Sequence, residues 1–317
     1  MYIAVAIILF FPSLLGKSED PRSFRRLWNC NSTFASSSSF KVGHFSTGFR
    51  SEIEGPTKIM QVMQNKTIVT TSWDDGNRSD LKVAELLRSR HIQGTFYVPI
   101  TPHRGPALTH EELRSLSSEG FEIGAHGFSH KLLWRLPAEE LTREVTPCKP
   151  TLEDILGKEI RMFCYPQGRY DSNVVRALKE AGYWGARTVR VLATRLDFKP
   201  FEMPTTVQIF PHPKSNYLKN IARARKVEGL QNYLANRRSL GNWLELSKRL
   251  FDSVLQNGGI WHLYGHSGEI DELGLWEDLK KLLDYVCKRE GVMYVPNWEL
   301  LQLLPTTSQR CRENQEL

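Results

Sequence analysis

The sequence lacks an apolar run of the ~20 residues that a membrane-spanning helix needs. Its best candidate, Ile3 to Leu15, is too short to span a bilayer and about right for the apolar centre of a signal peptide. No Lys or Arg precedes that stretch, and Leu14-Leu15-Gly16 is only a fair cleavage site. Metal-type cysteine spacing is also missing. Cys30, Cys148, Cys164, Cys287 and Cys311 are odd in number and form no CxxC pair, which points to free thiols and excludes a cysteine zinc site. There is no internal repeat, and no long low-complexity tract follows residue 40. No arginine–aromatic nucleic-acid motif accompanies the formal charge of +7, so that excess implies weak attraction to anionic surfaces and no nucleic-acid partner.

What is present is ordinary for a soluble globular protein: 40% hydrophobic and 24% charged residues over 317 positions, enough for one large α/β domain or two small ones. Segment 1–59 is signal-like and then rich in Ser, Phe and Arg without a sustained period; it reads as a leader plus linker, or as sequence upstream of a start at Met60 or Met63. A start near Met60 implies a cytoplasmic protein, and a working signal implies a secreted or membrane-associated one. The acceptor sequence Asn77-Arg78-Ser79 lies directly against a carboxylate pair, where a glycan would obstruct it. A catalytic domain is expected over 60–305 and a polar tail over 306–317.

Within 60–305, β-rich apolar runs alternate with amphipathic ones. Strands are expected at 67–73, 94–99, 121–125, 162–165, 185–189, 205–210, 259–264 and 292–295. Helices are expected at 80–90, 109–119, 138–156, 171–181, 242–256 and 276–289, the third broken by Pro147 and Pro150. Thr109 with Glu112 forms a capping box, and Gly120 is a helix stop. This alternation implies parallel βα units, in an open sheet or a barrel, with ligands at the strand ends. The basic stretch 214–240 reads as a solvated helical excursion before the last strands.

Two motifs carry chemistry. The run Thr67 to Thr71 is β-branched and ends in Ser72-Trp73-Asp74-Asp75-Gly76. Two like charges at a buried strand end cost several kcal/mol unless compensated, and a divalent cation compensates by holding one carboxylate while leaving the other free as a base. The second motif is Glu122 to His130, in which His126 closes a strand and His130 follows four residues later. A turn between them brings both imidazoles to one side. Two His and one Asp suit Zn²⁺, or else Co, Ni or Mn, with open positions for water.

Together these blocks resemble the polysaccharide deacetylases (NodB-homology, carbohydrate esterase family 4). Thr71 to Gly76 is similar to the family's T-F-D-D-G signature, and His126 to His130 to its H-[ST]-x-x-H segment, with Gly127 in place of Ser or Thr. The resemblance implies a distorted (β/α) barrel with fewer strands than a regular one. It implies a metal-dependent hydrolase that removes acetyl groups from sugars. It makes Asp74 the general base and Asp75, His126 and His130 the metal ligands. Phe163 to Gly168 stands in the place of the family's R-P-P-Y-G block, but Cys164 replaces the arginine that orients the base, and Gln167 replaces the tyrosine whose main-chain N–H faces the oxyanion. Arg187 or Arg169 is the candidate substitute for the missing cation.

The last block, Gly259 to Asp271, stands where the family places the histidine that protonates the leaving amine. His266, at the strand end, is the expected general acid, and His262 the expected buried, hydrogen-bonded histidine. Asp197, Glu269 and Asp271 are candidates for the carboxylate beside His266. Trp73 is expected to shape the pocket, with Asn77 and Tyr165 lining the cleft; Trp134, Trp184, Trp243 and Trp276 are expected mainly in the core. The expected substrate is an acetylated glycan or a small N-acyl compound. The alternatives are a non-sugar amide or cyclic ureide, or a non-catalytic carbohydrate-binding relative that would have lost the base or a metal ligand.

Overall fold

The computed structural model describes residues 66–304. The leader-like segment 1–59 and the tail 306–317 lie outside the described residues. Eight strands form one sheet: β1 (Thr67–Asp74), β2 (Thr95–Val98), β3 (Glu122–Ala125), β4 (Met162–Cys164), β5 (Gly185–Arg187), β6 (Val207–Gln208), β7 (Gly259–Gly265) and β8 (Val292–Tyr294). Their order is β5-β4-β3-β2-β1-β7-β6, and every pairing is parallel. The eighth strand does not extend this path. It pairs with Thr67–Val69 of β1, below the Ser72–Asp74 stretch that pairs with β2. The sheet therefore curls into a distorted, incompletely closed barrel, with chain 203–206 bridging irregularly between β5 and β7 through Thr188 N–H to Met203 O and Thr206 N–H to His262 O.

Among the described residues eleven helices lie between or after the strands: α1 (Asp80–Arg88), α2 (His110–Ser118), α3 (Ala138–Val145), α4 (Cys148–Leu156), α5 (Ser172–Glu180), α6 (Lys214–Ala224), α7 (Val227–Ala235), α8 (Trp243–Asn257), α9 (Ser267–Leu273), α10 (Trp276–Val286) and α11 (Asn297–Gln302). The expected capping box at Thr109 and Glu112 forms, and the break in the third expected helix falls at Pro147. Pro150 is tolerated inside the first turn of α4, where no intrahelical N–H is needed. In α8, Trp243, Leu246, Leu250, Phe251 and Val254 recur at helical spacing and are buried, each contributing about 1.5–3 kcal/mol. Asn242 caps that helix through the Leu244 and Glu245 amides. The basic stretch 214–240 is helical, as α6 and α7, with Leu218, Val227 and Leu234 exposed.

Alternation along β1 decides what reaches the functional end. Val69 and Trp73 pack outward among the helices, while Ile68 belongs to the inner cluster with Tyr97, Met162, Ile260, Leu300 and Leu301. On the inner side Thr70 bonds Asn297, Ser72 bonds His262, and Asp74 meets Arg187. The inner row is thus increasingly polar toward the strand end. Gly124 on β3 is needed here, because a Cβ would lie 2.5 Å from the Tyr97 ring. Among the cysteines, Cys148, Cys164 and Cys287 are free; Cys30 and Cys311 lie outside the described residues.

Candidate metal centre

After Asp74 the chain breaks from the strand with two successive left-handed residues, Asp75 at φ 79° and Gly76 at φ 60°. A non-glycine residue there stores of order 1–3 kcal/mol of strain. The turn sends the two carboxylates in different directions: Asp74 stays in the barrel interior, and Asp75 faces the end of β3. A Cβ on Gly76 would meet Val98 at 2.9 Å, so the turn admits only glycine.

His126 follows β3 directly, with its backbone N–H donated to Val98 O. Its Nδ1 is 2.9 Å from Cys164 O, so Nδ1 carries the hydrogen and Nε2 presents a lone pair, 3.5 Å from Asp75 Oδ1. His130 reaches the same oxygen at 3.3 Å from a left-handed backbone, φ 59°. The expected trio therefore converges, its ligand atoms all within 4.8 Å of one another. Asp75 Oδ1 is buried and has no hydrogen-bond partner. An orphaned carboxylate oxygen faced by imidazole nitrogens is a fitting seat for a divalent cation, and one Asp with two His is the donor set Zn²⁺ takes, though Co²⁺, Ni²⁺ and Mn²⁺ also suit it.

The charges agree with such a seat. Burial pushes the Asp75 carboxyl up, but His126, His266 and His130 outweigh it and hold it well below the usual carboxylate range. Burial and the neighbouring His126 push His130 down to about 4, so its imidazole is neutral at pH 7 and free to ligate. Burial also opposes charge on His126, yet its hydrogen-bonded contact with Cys164 and the Asp75 and Asp74 carboxylates raise it well above the ordinary value. A proton on His126 and a cation on Asp75 are alternatives, and binding a cation there would release the proton.

Two residues at this centre escaped the sequence reading. His103, in the loop after β2, places Nε2 3.6 Å from Asp75 Oδ1 and stacks on His130, ring centroids 3.7 Å apart and planes at 4°. Glu144, on α3, accepts from Ser129 N–H at 2.9 Å and Ser129 Oγ at 2.5 Å, fixing the turn between the two motif histidines. Neither carries a sequence signal of its own. One is a lone histidine between prolines, and the other a helical glutamate among several.

Asp74 lies beside this centre without joining the trio. It is 2% exposed and is held by a hydrogen-bonded ion pair from Arg187, itself fully buried. Burial raises the Asp74 pKa, but Arg187, His126 and His266 reverse the direction and keep it ionised. Arg187 is the register partner of Cys164 on the adjacent strand, so the cation that Cys164 lacks enters one strand over. Cys164 Sγ is 3.7 Å from Asp74. The other candidate, Arg169, lies over the Trp134 ring instead.

His266 Nε2 is 3.8 Å from Asp74 Oδ2, and its Nδ1 is 2.9 Å from Glu269. Of the three candidate carboxylates, Glu269 is therefore the partner. It is presented by α9, where a polar turn was expected, and an i,i+3 step brings it back to the histidine. Asp197 is exposed, and Asp271 takes Ser79 and Trp276. Burial lowers the His266 pKa, but Glu269, Asp74 and Asp75 outweigh it and raise it. His262 is buried between Ser72 Oγ and Pro204 O, both at 2.8 Å, and burial plus Arg187 push it down to about 3.

The cleft has a volume of about 210 Å³ and is lined by Asp74, Asp75, Asn77, Arg104, His266 and Glu269, among others. Two expected lining residues are elsewhere. Trp73 points outward, fully buried, because strand alternation puts it opposite Asp74. Tyr165 is buried with its hydroxyl on Phe201 O and its ring stacked on Tyr170. Gln167 is exposed at φ 55°, and its main-chain N–H makes no backbone hydrogen bond among the described residues. Trp243 is in the core, whereas Trp134 is flanked by Arg135 and Arg169, and Trp276 lies under Lys82.

The sequence model of the polysaccharide deacetylases matches residues 61–186, which include both carboxylates and both motif histidines. Over these residues the chain is similar to the polysaccharide deacetylase domain. The peptidoglycan-N-acetylmuramic acid deacetylase PdaA of Bacillus subtilis is 30% identical over 126 residues, 38% of this chain and 45% of its own length. An uncharacterized protein of Streptomyces coelicolor is 27% identical over 127 residues, 40% of this chain and 50% of its own. The chain thus aligns with half or less of these curated relatives. The crystal structure of a Mycobacterium smegmatis protein named for the polysaccharide deacetylases superposes with a TM-score of 0.54 at 17% identity, covering 77% of this chain and 92% of that one. That likeness bears out the distorted barrel fold. Arg187 and His266 fall outside the deacetylase match, and it is the barrel that brings them to the domain's motif residues. No helix among the described residues is long and apolar enough to cross a membrane.

Proposed function

We propose that the protein is a metal-dependent hydrolase that removes acetyl groups from N-acetylated sugars or polysaccharide, cutting a carbon–nitrogen bond that is not a peptide bond. The observation that carries this reading is the buried, unpartnered Asp75 Oδ1 ringed by imidazoles, with a second carboxylate, Asp74, held ionised beside it. Asp75, His126 and His130 would hold the cation. When bound, a divalent ion polarises an acyl oxygen and lowers the pKa of water.

The remaining work falls to the chain. Asp74, kept ionised by Arg187, takes the proton of the attacking water as its oxygen bonds the acyl carbon. His266, held charged by Glu269, gives its proton to the amine as the carbon–nitrogen bond breaks. The free Gln167 N–H is a donor for the developing oxyanion. Cys164 contributes no charge: burial pushes its thiol pKa up, and it stays protonated.

The test is acetate release from a panel of N-acetylated oligosaccharides and peptidoglycan fragments, with small N-acyl amides and a cyclic ureide as comparison substrates. Release from the sugars that a chelator abolishes and added Zn²⁺ or Co²⁺ restores supports the reading. Turnover of only the non-sugar amides moves the substrate class, and chelator-insensitive turnover removes the metal from the reaction.

A further inference from the structure

The two motif histidines are anchored in different ways. His126 has its Nδ1 on Cys164 O, the usual second contact of a metal-binding imidazole. Among the described residues, no group takes the Nδ1 of His130 in a hydrogen bond. Its backbone is left-handed, and its ring meets two other rings, His126 at an edge and His103 face to face. Without a further restraint, its ring plane is free to turn about the side-chain bonds.

The loop that carries His103 is itself tied to both halves of the centre. On one side Ile100 and Thr101 donate their N–H groups to Gly127 and Phe128, inside the His126–His130 turn, at 3.2 and 2.7 Å. On the other, Pro106 O accepts from Arg78 at 2.8 Å, and Leu108 donates to Gly76 at 2.9 Å, just beyond the carboxylate pair. Pro102 and Pro106 narrow the backbone freedom between these ties. His103 is therefore held where the two motif blocks meet.

The stack also says what His103 does not do. Two rings in nearly parallel planes, 4° apart, have in-plane lone pairs that do not meet, so both nitrogens cannot point at one ion while the rings stay stacked. His130 is the one whose nitrogen joins Asp75 and His126 in a compact group. We propose that His103 is a positioning residue: its ring, stacked face to face on His130, replaces the missing Nδ1 contact and fixes the plane in which His130 meets the cation.

This inference rests on the Asp75 centre being a cation site, and the experiment separates the two. Co²⁺ affinity is measured by competition with a chelating dye, alongside the visible Co²⁺ spectrum, for the wild type, H103A, H103F and D75N, each checked for an unchanged melting profile. H103A is expected to bind about 10- to 100-fold more weakly with an altered spectrum, the range for losing a contact behind a ligand. H103F, which keeps a flat ring and no nitrogen, is expected to recover most of that loss. Wild-type affinity in H103A overturns the proposal, as does an H103F as weak as H103A, since then the nitrogen and not the stack matters. If D75N loses Co²⁺ while H103A does not, only the role of His103 falls; if D75N binds like the wild type, the centre falls and His103 with it.

Discussion

Replacing Arg187 by methionine keeps a long apolar stem and deletes the one guanidinium that pairs Asp74. Both partners are buried, at 0% and 2% exposure, so water cannot take over the contact. Leaving a buried charge unpaired costs about 3–5 kcal/mol, a fifth or more of a typical domain's ~5–15 kcal/mol. The carboxyl escapes part of that cost by keeping its proton, which gives the effect a pH signature. In the wild type the folded pKa of Asp74 lies below the unfolded value of about 4, so the pair stabilises above pH 4 and that contribution is lost as pH falls through the folded pKa. In R187M the largest charge opposing burial is gone, only His126 and His266 are left against it, and the folded pKa is expected to rise above 4. The folded state then holds a proton that the unfolded state releases, and stability falls as pH rises from 4. The loss should therefore be small near pH 4 and approach its full size near pH 7. Urea melts at the two pH values measure it, and the acid limb of kcat/KM should move upward because Asp74 is no longer ionised. C164R in the R187M background supplies a cation from the register neighbour on β4 and should restore part of both. An R187M protein with the wild-type urea midpoint at pH 7 and an unmoved acid limb would refute the ion pair as the device that keeps Asp74 charged.

D74N should retain bound metal and lose about 10²–10⁴-fold in kcat, the usual range for a general base, read by acetate release beside metal analysis. E269Q removes the contact that most raises His266, so the alkaline limb of kcat/KM should move to lower pH while metal content stays constant. His262 titrates near 3 when folded and near 6.5 when unfolded, so the unfolded state binds the extra proton between those values. Stability is then present above 6.5 and falls as pH drops, by on the order of 4–5 kcal/mol across the window, and H262Q should flatten that slope in acid melts. G168A should destabilise the third motif block, because a Cβ there lies 2.1 Å from Val189 at φ 65°; a melting temperature equal to the wild type's would contradict it.

Much of this centre was legible because its signals are local. The eight strands are short apolar runs ended by turn residues, and the chemistry-bearing side chains fall at their ends. Asp74, Asp75, His126 and His130 sit in two compact blocks, and the departure at Cys164 itself asked for a cation such as Arg187. What was not legible depends on folding at a distance. Glu269 was one of three candidates until α9, a helix with no side-chain cap at its start, turned it toward His266. The short α11 likewise lacks a capping side chain, yet it closes the inner core with Leu300 and Leu301. Trp73 was misdirected because proximity in sequence to Asp74 was read as proximity in space, whereas alternation puts neighbours on opposite faces. His103 is silent in sequence because its meaning comes from the ring it lies on.

The central claim, a cation shared by Asp75, His126 and His130, is tested most directly by equilibrium dialysis of chelator-stripped protein against Zn²⁺. The account predicts one tightly held ion per chain in the wild type and in D74N, and its loss in D75N and H126A. Equal retention of the ion by D75N and the wild type would contradict it.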